Sequence, residues 1–262
     1  MDSSKLIAIA GDWHGDMQWA RLAINSAARE GITQIIHVGD FGLDWPGRKR
    51  GIAEDRLSRW LAANNQILYI SPGNHDCLEN INKMPVGEDG LITWRSHIKI
   101  MPKGGRTVLA GLSIGFLGGA YSVDRAFRTE GRDLWASEEA PTVEQAERLI
   151  ADGPVDVLIC HDAPMGVQVK KKFDLPDDIK DRADRTRILL AHAVQETHPA
   201  LVFCGHWHQR VTDHIPTQGG RTSEVHVLGM EHDRDGNMVL LRRGSSGLQV
   251  EPLYVRGRRP GE

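Results

Sequence analysis

The sequence predicts an α/β protein built from two β-sheets with helices on their outer faces. Short apolar runs alternate with amphipathic stretches of helical period through the first 70 residues, and a similar alternation returns between residues 142 and 203. Between and after these regions, short apolar runs are separated by polar turn residues, glycine or proline, which is typical of antiparallel strands. Motifs rich in carboxylate, amide and imidazole side chains follow five of the apolar runs.

The first third of the chain predicts two βα units and a third strand. Strands are expected at residues 6–10, 34–38 and 66–70, and helices at residues 17–29 and 52–63. Because the connections are short, the three strands should lie parallel in one sheet with right-handed crossovers. Ligands of open parallel sheets bind at the carboxyl ends of the strands, so this edge should carry the site.

The middle of the chain predicts short strands at residues 91–94, 98–101, 107–110 and 112–117, which we expect to pair antiparallel. The second half predicts helices at residues 142–151 and 182–196, and strands at residues 155–159, 200–203, 211–215, 224–228, 238–241 and 248–254. No linker divides the chain, so we expect one domain over residues 1–255. Residues 256–262 are charged and rich in glycine and proline, which predicts a flexible tail.

Composition limits the functional classes. The formal net charge of -3 does not indicate a nucleic-acid partner through bulk electrostatics. No apolar stretch approaches the roughly 20 residues of a membrane helix. The first predicted strand begins so early that no signal peptide fits before it, and three cysteines do not suggest a disulfide framework. We therefore expect a cytoplasmic protein without a membrane partner.

Five motifs carry the chemistry, each at the end of a predicted strand: Asp12-Trp13-His14-Gly15, Gly39-Asp40, Gly73-Asn74-His75-Asp76, Cys160-His161-Asp162 and Gly205-His206-Trp207-His208. Two metal ions held close together need a bridging carboxylate, and Asp40 is placed to bridge. We predict seven ligands for two divalent cations: Asp12, His14, Asp40, Asn74, His161, His206 and His208. Such ligands suit Mn²⁺, which we expect, and also Fe²⁺ or Zn²⁺.

The predicted centre is an anion receptor, because two carboxylates and five neutral ligands leave two divalent cations with a net positive charge. A phosphoryl group fits such a site, with a metal-bound hydroxide as the nucleophile. His75 is not needed as a ligand and is predicted to be the general acid that protonates the departing alkoxide. Asp76, or a backbone carbonyl, is expected to hold the His75 ring and favour the imidazolium. The alternatives are a structural role for His75 and a turn cap for Asp76.

In motif order and spacing the chain resembles the calcineurin-like metallophosphoesterases, and bacterial and phage phosphodiesterases among them in particular. The resemblance covers nearly the whole chain and implies a four-layer α-β-β-α sandwich of two mixed sheets. It also implies how the ligands divide between two ions. One ion would take Asp12, His14, Asp40 and His208, and the other would take Asp40, Asn74, His161 and His206.

Two departures from the family's other branches narrow the substrate. Protein phosphatases that share the motifs carry an arginine after the Gly-Asp motif and another before Gly-Asn-His. Here residues 41–45 after Asp40 contain no arginine, and Pro72 precedes Gly73. Purple acid phosphatases place a tyrosine ligand where this chain has Leu43. A diester carries less charge than a monoester and needs fewer cations, so we expect a small phosphodiester substrate, with cyclic nucleotides as candidates.

Substrate contacts are predicted in the glycine-rich segment at residues 118–125. Tyr121 is predicted to stack on a base, and Arg125 to supply a cation. The alternative is a strand end followed by a solvated loop.

Three functions remain open from the sequence. The first is hydrolysis of small phosphodiesters, the second is a phosphomonoesterase or nuclease that uses the same metals, and the third is a scaffold that retains the fold without catalysis. The presence of His75 and of every predicted ligand argues against the scaffold.

Overall fold

Two mixed β-sheets packed face to face form the centre of the computed structural model, which describes residues 5–133, 139–170, 174–245 and 247–256. The helices within these residues are α1 (Met17–Arg29), α2 (Ile52–Ala63), α3 (Val143–Ala151) and α4 (Asp177–Thr197). The first sheet contains β1 (Lys5–Ala10), β2 (Gln34–His37), β3 (Ile67–Ile70), β4 (Ile92–Arg95), β5 (Ile98–Ile100), β12 (Met238–Gly244) and β13 (Gly247–Pro252). The second sheet contains β6 (Gly105–Leu109), β7 (Leu112–Leu117), β8 (Val157–Cys160), β9 (Leu201–Cys204), β10 (Val211–Pro216) and β11 (Thr222–Val227).

The strand order places β12, which comes late in the described chain, beside β1. The first sheet runs β13-β12-β1-β2-β3-β5-β4, and the second runs β10-β11-β9-β8-β7-β6. The neighbours β1, β2 and β3 are parallel, as are β7, β8, β9 and β11. The carboxyl ends of these central strands therefore form a continuous edge in each sheet.

Alternation of side chains along the strands produces the layers. In β1, Ala8 packs on the side of the first sheet that α1 and α2 cover, whereas Ile9 lies between the two sheets. In β8, Ile159 faces the first sheet, and Leu158 packs toward α3 and α4. Three apolar clusters thus separate four layers, and the predicted α-β-β-α sandwich is confirmed.

The middle strands pair differently from the prediction. The hairpins β4-β5 and β6-β7 are antiparallel, as expected. However, β5 also pairs parallel with β3, β7 pairs parallel with β8, and the two hairpins belong to different sheets. Local sequence predicts the hairpins but not these pairings, because each partner of the parallel pairs is distant in the chain.

Helix α4 begins at Asp177 and not near residue 182, where the prediction placed its start. Asp177 and Asp178 lie in its first turn, where carboxylates interact favourably with the exposed N–H groups and the helix dipole. Most of the first ten residues of the helix are exposed or half-buried. The charged residues before position 182 therefore belong to the solvent-facing first turns of this helix.

The predicted tail lies almost entirely outside the described residues. Arg256 is described, and its backbone N–H donates to Ser26 Oγ at 3.0 Å. Residues 257–262 lie outside the described part of the chain. Among the helices that the structure describes, none combines the length and apolar character needed to cross a membrane.

A buried asparagine, Asn237, connects the first motif by hydrogen bonds to the segment just before β12. Asn237 Oδ1 accepts hydrogen bonds from the indole N–H groups of Trp13 and Trp19, at 3.0 and 2.9 Å. Its Nδ2 donates to the backbone carbonyls of Asp12 and Gly229, at 3.2 and 2.9 Å. Trp13 is fully buried and packs edge-on against His37. This tryptophan therefore holds the loop that carries Asp12 from inside the core.

Replacing Asn237 by leucine should lower the free energy of unfolding by about 3 kcal/mol. Two buried indole N–H groups and two carbonyls lose their partner, and each unpaired buried group costs about 1–3 kcal/mol. Urea denaturation measures the loss. The matched control is Asn64→Ala at the half-buried end of α2, where about 1 kcal/mol or less is expected. Equal losses in the two variants would contradict the anchoring role of Asn237.

Candidate metal centre

The residues of the five motifs converge at the carboxyl ends of parallel strands. The first three motifs follow β1, β2 and β3 of the first sheet, and the last two follow β8 and β9 of the second. Because the sheets pack face to face, loops from both sheets meet at one place. The structure brings all seven side chains predicted as ligands into this region.

The side chains form two groups. Asp12, His14 and His208 make the first group; Asp40, His161 and His206 make the second. Within each group the potential ligand atoms all lie within 4.8 Å of one another. This division coincides with the two ligand sets that the family resemblance implies.

Asp40 lies between the two groups. Its Oδ2 is 3.6 Å from His14 Nε2, and its Oδ1 is 3.2 Å from His161 Nε2. Oδ1 also accepts the backbone N–H of His75 at 2.8 Å. Although burial opposes ionisation, the facing histidines hold the pKa of Asp40 well below its usual range. The buried carboxylate is therefore charged and presents one oxygen to each group.

Asn74 and His161 are held with their ligand atoms facing one another. His161 Nδ1 is 3.0 Å from the Val38 carbonyl, which fixes that nitrogen as the N–H donor. Its Nε2 then faces Asn74 Oδ1 at 3.1 Å, in addition to Asp40. The amide of Asn74 is oriented by its Nδ2, which donates to Ser122 Oγ at 2.9 Å. The lone pair of His161 Nε2 faces two oxygens, one from Asn74 and one from Asp40. These groups repel one another unless a cation or a proton lies between them.

The pKa values of His14 and His161 also favour positive charge in this region. Burial lowers the pKa of His14, but Asp40 and then Asp12 outweigh burial and raise it to about 10. Burial likewise lowers the pKa of His161, and Asp40 raises it to about 9. Both imidazoles favour positive charge beside the carboxylates, which is what divalent cations supply. Nitrogen, carboxylate and amide-oxygen donors together fit Mn²⁺, Fe²⁺ or Zn²⁺.

Local backbone geometry also marks the site. His14, Asp40, His206 and His208 have φ of 41°, 56°, 64° and 52°, the left-handed region that non-glycine residues seldom occupy. Each such residue costs about 1–3 kcal/mol and persists only where the surroundings enforce it. Strain is thus concentrated at four of the seven predicted ligands.

Two glycines allow the loops of the third and fifth motifs to pack closely against Asp40 and Asp12. A Cβ on Gly73 would lie 2.2 Å from Asp40 Oδ1, and one on Gly205 would lie 2.1 Å from Asp12 Oδ1. Neither position has room for a side chain, because a carboxylate oxygen occupies the space. The glycines of the third and fifth motifs therefore serve the packing of the two aspartates.

Sequence reasoning missed Glu231, which orients His14. Glu231 Oε2 lies 2.8 Å from His14 Nδ1, so Nε2 of that ring is directed toward Asp40. Glu231 follows β11, which is parallel to β9 in the second sheet. Its position after a strand was the available signal, but no neighbouring motif drew attention to it.

The structure corrects the role expected for Asp76. Its carboxylate accepts the backbone N–H groups of Gly42, Leu43 and Gly73, each at 2.8 Å. It makes no hydrogen bond to the His75 ring within the described residues. Asp76 instead joins the loop after β2 to the loop after β3, because a buried carboxylate is best satisfied by several N–H donors.

His75 meets an arginine in place of the expected carboxylate. Nη2 of Arg128 contacts His75 Nε2. Burial lowers the pKa of His75, and the charge of Arg128 adds to the decrease, against the opposite effect of Asp40. The His75 ring is T-shaped against the His14 ring, with centroids 5.6 Å apart. The expectation that its surroundings favour the imidazolium is therefore wrong for the protein alone.

The glycine-rich segment reaches the site through residues other than those predicted. Tyr121 is buried, and the guanidinium of Arg125 lies over its ring at 4.9 Å, so this face cannot stack on a base. Ser122 of this segment contacts Asn74, and Arg128, three residues beyond the segment, contacts His75. The segment is correctly placed beside the site, but the two residues singled out within it face each other.

A hydrogen bond to the buried carboxylate of Asp162 also joins the fourth and fifth motifs. Asp162 Oδ1 accepts the indole N–H of Trp207 at 2.8 Å. Trp207 separates His206 from His208, and the Arg187 guanidinium lies over its ring at 5.1 Å. These two contacts fix the side chain of Trp207, so His206 and His208 on either side of it are held in different groups.

Known structures share this architecture. The protein TT1561 of Thermus thermophilus superposes with a TM-score of 0.59 at 17% identity, covering 97% of this chain and 100% of that one. A dimetal phosphatase from Danio rerio gives 0.53 at 11% identity, with coverage of 96% and 100%. GAP50, the anchor in the inner membrane complex of Plasmodium, gives 0.51 at 14% identity, with coverage of 97% and 85%. At these identities the likeness shows the fold alone.

Sequence comparison identifies the family. No curated protein sequence matches the chain significantly. Residues 5–210, which include all five motifs, match the family model for calcineurin-like phosphoesterases. The chain therefore belongs to the calcineurin-like phosphoesterase family.

Proposed function

We propose that the protein is a metal-dependent phosphodiesterase that hydrolyses small phosphodiesters, including cyclic nucleotides. The observation that carries the proposal is the position of Asp40, whose two oxygens face two separate groups of candidate ligands. A carboxylate in that position suits a pair of cations better than a single one. Family membership supports hydrolysis of a phosphoester bond.

In this proposal, two divalent cations are held by the side chains of the two groups. Asp12, His14 and His208 hold one ion, His161, His206 and Asn74 hold the other, and Asp40 is shared. Mn²⁺ is proposed for both, because mixed nitrogen and oxygen donors accommodate it. When bound, such a pair polarises the phosphoryl oxygens and activates the attacking water.

The role of His75 in the proposal is to protonate the leaving alkoxide. Its backbone N–H is fixed on Asp40, and its ring lies against the His14 ring of the first group, with centroids 5.6 Å apart. An anionic phosphoryl group beside the ring favours the imidazolium and works against the effect of Arg128. The acid form of His75 is then favoured when substrate is present.

The charges support a diester. The segment after Asp40 and the position before Gly73 lack the arginines of protein phosphatases. Arg128 does reach the site, but Asp124 binds it with two contacts, at 3.0 and 2.7 Å. The pair adds no net charge, so a substrate with one negative charge is well matched.

A phosphomonoesterase is the second candidate, and Arg128 is the observation that favours it. A guanidinium in contact with His75 is a donor that could bind one more phosphoryl oxygen. Monoester and diester substrates must therefore be compared directly.

With Mn²⁺ supplied, purified protein should hydrolyse bis(p-nitrophenyl) phosphate and a cyclic nucleotide more efficiently than p-nitrophenyl phosphate. His75→Ala should lower kcat for the cyclic nucleotide by about 100-fold or more, because its alkoxide leaving group needs a proton. The loss should be smaller for the p-nitrophenyl diester, since p-nitrophenolate departs without protonation. Release of p-nitrophenol and chromatography of the nucleotide product measure the two rates.

The control is His192→Ala, a half-exposed histidine on α4 that lies outside the five motifs and pairs with Glu147. Equal losses for both leaving groups in His75→Ala would contradict the general-acid role. A preference for the monoester would favour the second candidate. Cleavage of single-stranded DNA with steep salt dependence would indicate a nuclease instead.

Glu231→Gln should weaken the first metal site by about 10–100-fold, because the ring of His14 loses the carboxylate that orients it. Titration calorimetry with Mn²⁺ should show one weakened site and one unchanged. Asp235→Asn, an exposed residue of the same loop, is the matched control. Wild-type affinity at both sites in Glu231→Gln would show that Glu231 does not position His14 for a metal.

A further inference from the structure

We infer that Arg128 is the phosphoryl-binding residue of this site, where its guanidinium takes an anionic oxygen of the substrate or product. The inference rests on the proposed function, because it concerns the same site. It adds a substrate-contacting residue that lies outside all five motifs.

Arg128 is preorganised for such a contact. Its side chain is 8% exposed, although it follows an exposed turn at Arg125–Phe127. Asp124 holds Nε and Nη2, and Ser122 Oγ accepts from Nη1 at 3.1 Å. A fixed guanidinium loses little conformational entropy when it binds an oxyanion.

Its position connects it to both candidate metal groups. Through Ser122 it is one residue from Asn74, whose amide faces His161. Through the His75 ring it approaches His14, which belongs to the other group. The guanidinium therefore lies beside the space where a phosphoryl group would have to sit to reach both groups.

The contact with His75 is the one that substrate can replace. The Asp124 carboxylate is a negatively charged acceptor, whereas an imidazole nitrogen such as that of His75 carries no negative charge. A phosphoryl oxygen competes successfully with an imidazole for an arginine N–H without breaking the ion pair with Asp124. The exchange would free His75 Nε2 for the proton that the proposed mechanism requires.

In this role Arg128 would supply a phosphate contact that protein phosphatases of the family obtain from arginines at other positions. Arginines that clamp phosphate in protein phosphatases are absent from the segments around Asp40 and Gly73. Here the donor comes from the segment between β7 and α3. Its neutralisation by Asp124 makes the contribution a directed hydrogen bond and not an increase in net charge.

The test measures binding of inorganic phosphate to the Mn²⁺-loaded protein by titration calorimetry. Arg128→Ala should weaken phosphate binding by about 10-fold or more, since a charged hydrogen bond is lost. Arg128→Lys keeps the charge and the stem but loses the fork, and a loss of about 3-fold or more is expected. Arg132→Ala, an exposed arginine of the same segment, should bind phosphate like the wild type.

Metal content and melting temperature are measured for every variant, so that loss of metal or fold is not mistaken for loss of the contact. If Arg128→Ala does not fold, Arg128→Lys decides. Phosphate affinity within about twofold of wild type in the folded Arg128 variants would overturn the inference, as would a wild type that binds no phosphate.

Hydrolysis is measured separately and distinguishes the two claims. A wild type that binds phosphate through Arg128 but cleaves no ester would refute the proposed function and leave the phosphate site intact. A wild type that cleaves diesters, with unchanged KM and phosphate affinity in the Arg128 variants, would refute only the role of Arg128.

Discussion

The arrangement of the site depends on one charged carboxylate, Asp40, which is buried where the loops of the two sheets meet. Asp40 is 1% exposed, and an isolated charge in that position would be prohibitively costly. Imidazoles on both sides and the His75 backbone N–H compensate it. Parallel strands of two sheets deliver these partners, because their carboxyl ends meet at one edge. The same charge then makes the position suitable for cations, so the fold and the proposed chemistry share one requirement.

Buried polar side chains connect the motifs and offset the strain within them. Asp76 joins the second and third motifs, Asp162 joins the fourth and fifth, and Asn237 anchors the first. Each bond is made to backbone or indole N–H groups or to a backbone carbonyl, and the three polar side chains are themselves buried. Together they explain how His14 and three other site residues remain in left-handed conformations. The loops are positioned by this scaffold before any ligand is considered.

Local patterns sufficed to predict two sheets flanked by helices and the convergence of the motifs, because strand ends and apolar periodicity are properties of short segments. Contacts between distant segments could not be predicted in this way. Asp76 follows His75 directly, yet two of its partners, Gly42 and Leu43, lie more than thirty residues earlier. Glu231 and Arg128 reach the site from loops without a motif, and β5 joins β3 across an intervening hairpin strand. Such contacts depend on which strands become neighbours.

Anomalous diffraction can determine whether Asp40 bridges two divalent cations. Crystals grown with Mn²⁺ would be measured at wavelengths above and below the manganese absorption edge. We expect two anomalous peaks, one beside each oxygen of Asp40, the first among Asp12, His14 and His208 and the second among Asn74, His161 and His206. A single peak, or peaks away from Asp40, would show that Asp40 does not bridge two cations.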